Sequence, residues 1–404
     1  MKLLVVSSQY PPLRSPESAH TFLLCEQLAA RGVKVDLLTS KLPPGFPVPE
    51  GFRLHALMKS WGGLQFLTLV LSIWRLRPDA VLLIYIDWIY GCNPMVTFLP
   101  AVFRRLRPSM PFVTQFENES GLASGHPPSG MKSRLVNWFL KELAGRRGLH
   151  PVYGALLRDS RRVIALSERH LEAFERAQPG VSNKTQVIPA PPIMRFASET
   201  MCGSARKRGR ALLGLSDQDM VLVYFGYVYS MKGVETLLAA FGSLPVSTRL
   251  IVVGDGEAEY LSKLQELSKQ VGGAERVIWT GHCKPEEEFA SLYLHAADIC
   301  VLPFNDGVRL NNSSFAVAAS HGLPIVTTRG ESLEAPFLDG HNVRLCPPKD
   351  PGALAAAIGE LIYSPVTRQK LASGARGFAE THFSWERVIQ STLEVLSGST
   401  SLKK

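Results

Sequence analysis

Between Val221 and Thr328 the chain alternates buried-strand patterns with helical ones. VLVYFG (221–226) is an apolar run closed by glycine, and Lys232-Gly233 then opens the apolar helix VETLLAAF. RLIVVGDGE (249–257) is a second strand, ending in a Gly-x-Gly turn before another helix. RVIWTG (276–281), DICVLPF (298–304) and LPIVTT (323–328) are three more strands. The last follows a polar loop, DGVRLNNSS (306–314), and a small-residue helix, FAVAASHG (315–322). Strands joined through helices form a parallel sheet, whose ligand lies beyond the carboxyl ends of the strands. Those ends carry Gly226, Lys232, Gly254, Gly256, Arg309 and the small polar side chains of Asn311, Asn312, Ser313 and Ser314. Backbone N–H groups at helix starts, with one or two fixed cations, make a phosphate cradle. Asp255, between two glycines, reads first as a cap for the helix that follows. The NNSS run reads equally as a helix cap or as a phosphate contact.

The first half shows the same alternation. LLVVSS (3–8), VKVDLLTS (33–40), DAVLLIYID (79–87) and PFVTQF (111–116) are strands, with a helix over 21–31 closed by Gly32. RVIALSERHLEAFER (162–176) is a strand leading into a helix, and TQVIPAPP (185–192) ends this half in prolines. The expected division is a Rossmann-like domain over 1–190, a second over 191–375, and a terminal helix in 376–404 that returns to the first. Two such halves on a proline-rich hinge leave a cleft whose closure would exclude water from a reaction.

The chain has 404 residues, ordinary apolar content at 46% and a net charge of +9. Residues 1–180 hold 22 Lys/Arg against 13 Asp/Glu, and the remainder holds 22 of each. The cations cluster in 104–107, 131–147 and 158–162, a solvated face or a surface for an anionic partner. No nucleic-acid motif accompanies them. The six cysteines are scattered without metal or redox spacing, which suits reduced thiols in a cytoplasmic protein. WGGLQFLTLVLSIW (61–74) is too short to span a bilayer. It reads either as a buried core helix or as an interfacial one, with Trp at both ends and cations alongside.

The order and wording of these segments resemble the retaining GT-B glycosyltransferases of family 4 along nearly the whole chain. SSQYPP (7–12), RPDAVLLIY (77–85) and RVIALSE (162–168) look like the N-terminal strands of that family. TQVIPAPP resembles its V-I-P-N-G hinge, and FGYVYSMKGVETLLAAF resembles its G-R-x4-K-G segment. LIVVGDGEAEYLSKL and VIWTGHCKPEEEFASLYLHAADICVLPF resemble the donor-domain segments that follow. The resemblance implies a metal-independent transferase with no resident cofactor. Its co-substrate would be a nucleotide-diphosphate sugar, a UDP-sugar as the first expectation. Its acceptor would be a glycan or lipid-linked molecule, met in the cytoplasm or at the inner face of a membrane.

The chain also departs from the family pattern. Lys232 is kept, but Tyr227 stands where an arginine is usual. The two glutamate positions fall on Arg309 and Val317, and the histidine that ends the middle N-terminal strand aligns with Phe116, beside Glu117. Loss of a cation at 227 and gain of one at 309 suggest that Arg309 joins Lys232 in neutralising the diphosphate. Gly226, Tyr227, Gly254, Asp255 and Gly256 complete the expected donor site. Lys232, Arg309 and Glu117 are the expected catalytic groups, and Glu117, His20 and Tyr85 the expected acceptor contacts. His126 reads as a surface histidine. A non-catalytic GT-B subunit and a sugar-nucleotide 2-epimerase are the competing readings. A dehydrogenase is disfavoured, because the first strand lacks a GxGxxG turn.

Overall fold

A computed structural model describes residues 1–119, 153–196, 202–283 and 288–398. His126 and the basic run 131–147 lie outside the described residues. The chain forms two units, Met1–Pro189 with Glu386–Lys404, and Ala190–Trp385. The crossing out of the second unit thus follows Trp385 rather than residue 375.

The first unit runs β1 (Lys2–Val6), α1 (Pro16–Ala30), β2 (Lys34–Ser40), β3 (Arg53–Met58), α2 (Phe66–Leu76) and β4 (Ala80–Tyr85). It continues through α3 (Leu99–Leu106), β5 (Phe112–Phe116), α4 (Gly154–Asp159), β6 (Arg162–Ala165), α5 (Glu168–Ala177) and β7 (Thr185–Val187). All neighbours in its sheet are parallel, in the order β3-β2-β1-β4-β5-β6-β7. Every residue of β4, AVLLIY, is buried, as a strand covered on both faces requires. The order reverses between β1 and β4, which opens a crevice at their carboxyl ends.

The helix expected over 21–31 begins five residues earlier, at Pro16. Ser15 is its N-cap and accepts from the Ser18 N–H, while Pro16 fills a first-turn position where no N–H is needed. This places His20 inside α1, on its buried side. The 61–74 stretch is not a buried core helix: within α2 only Leu69 and Ile73 are buried.

The second unit runs α6 (Cys202–Leu212), β8 (Met220–Phe225), α7 (Val234–Phe241), β9 (Thr248–Val253), α8 (Ala258–Gln270), β10 (Val277–Gly281) and α9 (Phe289–Ala296). There follow β11 (Ile299–Leu302), α10 (Ser313–Ser320), β12 (Ile325–Thr328), β13 (Arg344–Cys346), α11 (Pro351–Tyr363) and α12 (Pro365–His382). Its sheet is again parallel, in the order β10-β9-β8-β11-β12-β13. The core lies between these strands and the apolar faces of α7, α10 and α11, with Phe315, Leu238 and Ile358 fully buried. The reversal falls between β8 and β11, and the loops after those two strands face the crevice. The last helix, α13 (Trp385–Ser397), belongs to the first unit from Glu386 onward. Trp385 remains in the second, where its indole N–H donates to the Pro192 carbonyl at 3.0 Å.

Candidate active site

At the crevice of the second unit, three glycines allow three backbone segments to touch. Gly226 follows β8 at φ +138°, and Gly254 follows β9 at φ +146°. A Cβ on Gly254 would lie 2.0 Å from the Gly226 carbonyl oxygen, and one on Gly256 would lie 2.3 Å from that of Val228. A Cβ on Gly226 would itself meet Ser314 Cβ at 3.4 Å. The turn after β8, the turn after β9 and the start of α10 therefore converge on one point. Asp255 does not cap α8, whose N-cap is Glu257 without a side-chain bond. Its Oδ1 accepts from the Gly256 N–H at 3.0 Å and its carbonyl accepts from Val228 N–H at 2.8 Å, so it braces the turn.

Lys232 ends a single 3-10 turn, Ser230–Lys232. Its ammonium lies 4.8 Å from the Phe304 ring centroid and 5.6 Å from that of Tyr229. The turn is fastened to the loop after β11. Asn305 donates from its backbone N–H to Met231 O at 3.0 Å and from Nδ2 to Ser230 O at 2.7 Å. The next residue, Gly233, has φ +68° and lies directly against the Pro303 carbonyl. Lys232 is thus carried on a short, braced loop at the switch point.

Arg309 sits on that same β11 loop with its side chain largely buried, and its Nη2 is 3.8 Å from Asp306 Oδ2. Its backbone N–H donates to Asn312 Oδ1 at 2.8 Å, and the neighbouring Leu310 N–H donates to Glu334 Oε2 at 2.6 Å. Because the Asn312 side chain serves Arg309, it does not cap α10. Capping alone therefore does not account for NNSS. Ser313 and Asn311 are half-buried at this start, whereas Ser314 is 4% exposed. Ser314 Oγ has no hydrogen-bond partner among the described residues, an unmet polar group at a helix N-terminus beside Gly226. Tyr227, half-buried, packs near Tyr229 at 6.3 Å between ring centroids. Burial and the nearby Glu257 and Asp255 carboxylates push its phenol above the ordinary value.

The first unit gathers a titratable cluster at its own crevice. Glu117 follows β5, and its N–H donates to Tyr85 O at 3.0 Å. His20 Nδ1 lies 3.2 Å from both Glu117 oxygens, and Gln115 Nε2 donates to Oε1 at 2.8 Å. Burial disfavours charge on both partners. Mutual attraction nevertheless holds the His20 pKa above its ordinary value and Glu117 below. Sequence reasoning missed Glu17, on the first turn of α1. Burial, reinforced by the charge of Glu117, raises its pKa to about 7. The Ser-Pro-Glu start of α1 was the signal that would have placed it beside His20. Tyr85, expected as an acceptor contact, is 1% exposed and packs in the core against Tyr90, Phe116 and Tyr153. Asn305 and Glu334 were also missed. Neither stands in a pattern that reveals its partner before the loops are folded.

Among the described residues, no group of three His, Cys, Asp or Glu is placed to hold a metal ion. Cys25, Cys300 and Cys346 are buried and unpaired by disulfide, while Cys92 is exposed.

Comparison with known proteins agrees with this architecture. A family profile described as "Glycosyl transferases group 1" matches residues 219–364, and one described as "Glycosyl transferase 4-like domain" matches residues 18–191. A D-inositol 3-phosphate glycosyltransferase of Xylanimonas cellulosilytica is 28% identical over 59% of this chain and 54% of its own length. The Mycobacterium tuberculosis glycogen synthase is 27% identical over 98% of this chain and 94% of its own. The chain spans about half the length of the inositol-phosphate enzyme and similar relatives. Among solved structures, the sucrose-phosphate synthase of Thermosynechococcus elongatus superposes with a TM-score of 0.73 at 19% identity, covering 99% of both chains. Anabaena HepE, solved with UDP and glucose, superposes at 0.71 and 19%, covering 98% of this chain and 100% of that one. At such identities these structures establish the fold alone.

Proposed function

Because this chain belongs to the GT-B glycosyltransferases of group 1, we propose that it transfers a sugar from a nucleoside-diphosphate sugar to a hydroxyl of a glycan or lipid-linked acceptor, with retention of configuration. The observation that carries the reading is the switch-point crevice of the second unit. There a braced lysine, an arginine on the adjoining loop and a buried, unpartnered serine hydroxyl border the glycines that let three backbone segments converge.

In this reading the diphosphate rests on the start of α10, whose N–H groups and dipole favour an anion. As the bond from sugar to phosphate breaks, negative charge grows on the β-phosphate, and Lys232 and Arg309 stabilise it. Each preorganised contact of this kind contributes about 3–4 kcal/mol to the transition state. The acceptor hydroxyl attacks the anomeric carbon from the face that the phosphate leaves. Its proton passes to the departing phosphate oxygen, so no separate base is required. Glu117, paired with His20, is a charged group for orienting acceptor or sugar hydroxyls. UDP is the first nucleotide to test, since HepE was solved with it.

The test is to incubate the protein with UDP-, GDP-, ADP- and dTDP-sugars and panels of glycan and lipid-linked acceptors. Nucleotide release and the anomeric configuration of the product are followed by NMR. Release with retention supports the reading, and inversion contradicts it. A non-catalytic reading has one observation in its favour. Val317 occupies a usual glutamate position and is fully buried, so its side chain cannot reach a ligand. That reading predicts nucleotide binding without release in every combination.

A further inference from the structure

We infer that the first unit docks on an anionic lipid surface through the outer face of α2. The inference does not rest on sugar transfer and concerns a different part of the molecule from the donor crevice.

Leu67, Leu71 and Trp74 recur at the spacing of one helical face and are 67%, 40% and 45% exposed. Leu64, in the turn that precedes α2, is 98% exposed and extends the row. The opposite face holds Leu69 and Ile73 in the core, so α2 is apolar on both sides. A surface helix in water needs polar side chains on its outer face, and here an apolar row takes their place.

The chemistry around the row selects the occupant. Exposed Lys59, Arg75 and Arg77 flank it in sequence, and no Asp or Glu occurs from Lys59 to Pro78. Arg107, just past α3, places its guanidinium 5.5 Å from the Trp74 ring centroid. Arg105 and Leu106 beside it are exposed, the latter by 49%. Arg104 is excluded from this rim, because it is paired with the buried Asp159 at 3.1 Å. An apolar row rimmed by cations, with a tryptophan at the boundary, is the pattern of a helix lying in a membrane interface. At 11 residues α2 cannot cross a bilayer, and among the described residues no helix is long and apolar enough to do so. A second copy of the chain on this face would bring arginines against arginines, which disfavours self-association.

The experiment is flotation of the full chain with vesicles of phosphatidylcholine, with and without one-quarter phosphatidylglycerol, at low and high salt. The expected result is capture by the anionic vesicles only, weakened by salt. The double variant Leu67→Glu, Leu71→Glu should lose at least about tenfold in bound fraction. Arg75→Glu with Arg107→Glu should lose binding to a similar degree and most of the salt sensitivity. Both positions in the leucine variant are exposed, so its unfolding temperature and its response to nucleotides should stay unchanged. That control separates a failure of docking from a failure of the donor site. Trp74 adds a direct readout: brominated lipid should quench the parent more than Trp74→Phe. The inference is overturned if the parent ignores anionic vesicles or if the leucine variant binds them equally. It is also overturned if the parent is a dimer in solution that the leucine variant splits.

Discussion

A Cβ on Gly233 would stand 2.0 Å from the carbonyl oxygen of Pro303. The residue also has φ +68°, a conformation L side chains rarely adopt. The close approach presses the Lys232 turn onto the loop after β11, where Asn305 fastens it from the other side. Gly233→Ala should cost about 2–4 kcal/mol, because backbone rather than a flexible side chain must move. Urea unfolding measures that loss. Nucleotide affinity should fall with it, since Lys232 is displaced.

Lys232→Ala and Arg309→Ala should each lower kcat/KM by about 10²–10³ with a nucleotide sugar as donor. Any loss of folding stability is a separate effect from the loss of transition-state contact. Lys232 lies over rings at 4.8 and 5.6 Å, and Arg309 Nη2 is 3.8 Å from the exposed Asp306. Steady-state kinetics beside thermal unfolding separates the two effects.

Ser314 supplies a sharper test of the α10 cradle. Its hydroxyl is buried without a partner among the described residues, so Ser314→Ala removes an unmet polar group. Folding stability should stay level or rise slightly. Nucleotide affinity, read by calorimetry, should fall about tenfold through loss of one hydrogen bond to a charged ligand.

Glu17 predicts a pH dependence of stability. Burial first, then the charge of Glu117, raises its pKa from 4.5 to about 7, although His20 and Ser15 pull the other way. The folded chain therefore keeps a proton that the unfolded chain releases near pH 4.5. Stability from this group is lost as pH rises through that interval, by up to roughly 3 kcal/mol, and is level above it. Glu17→Gln should be more stable than the parent by an amount that grows from about pH 4.5 to pH 7. The His20–Glu117 pair contributes oppositely at its two ends. Its Glu117 part is lost as pH falls through the lowered carboxylate pKa, and its His20 part as pH rises through the raised imidazole pKa. Unfolding temperatures of both proteins across pH 4 to 8 isolate the Glu17 share.

Much of the second unit's crevice was legible because the glycines and Lys232 sit at fixed offsets from strands whose apolar runs are unmistakable. Gly226 and Gly254 each follow the last residue of a fully patterned strand, β8 and β9. The role of Asn312 was not legible, since a polar residue before a helix suggests a cap until the loop shows Arg309 N–H claiming it. Glu334 and Asn305 reach the site from loops whose course depends on tertiary contacts, not local propensity. The burial of Tyr85 was hidden for a related reason. An aromatic near a strand end reads as a contact group, and only the packing of Tyr90, Phe116 and Tyr153 around it shows that it belongs to the core. For 61–74 the sequence left a core helix and an interfacial one both open, because a continuous apolar run does not say which side is covered; the exposure of Leu67, Leu71 and Trp74 decides against the core helix.

In the proposed reading the second unit holds a nucleoside diphosphate at the β8–β11 switch point. Calorimetric titration of UDP, GDP, ADP and dTDP into the parent and into Lys232→Ala tests it most directly. One nucleotide should bind in preference to the others, and the lysine variant should weaken that binding at least about tenfold. Binding of none of the four, or equal binding by parent and variant, would contradict it.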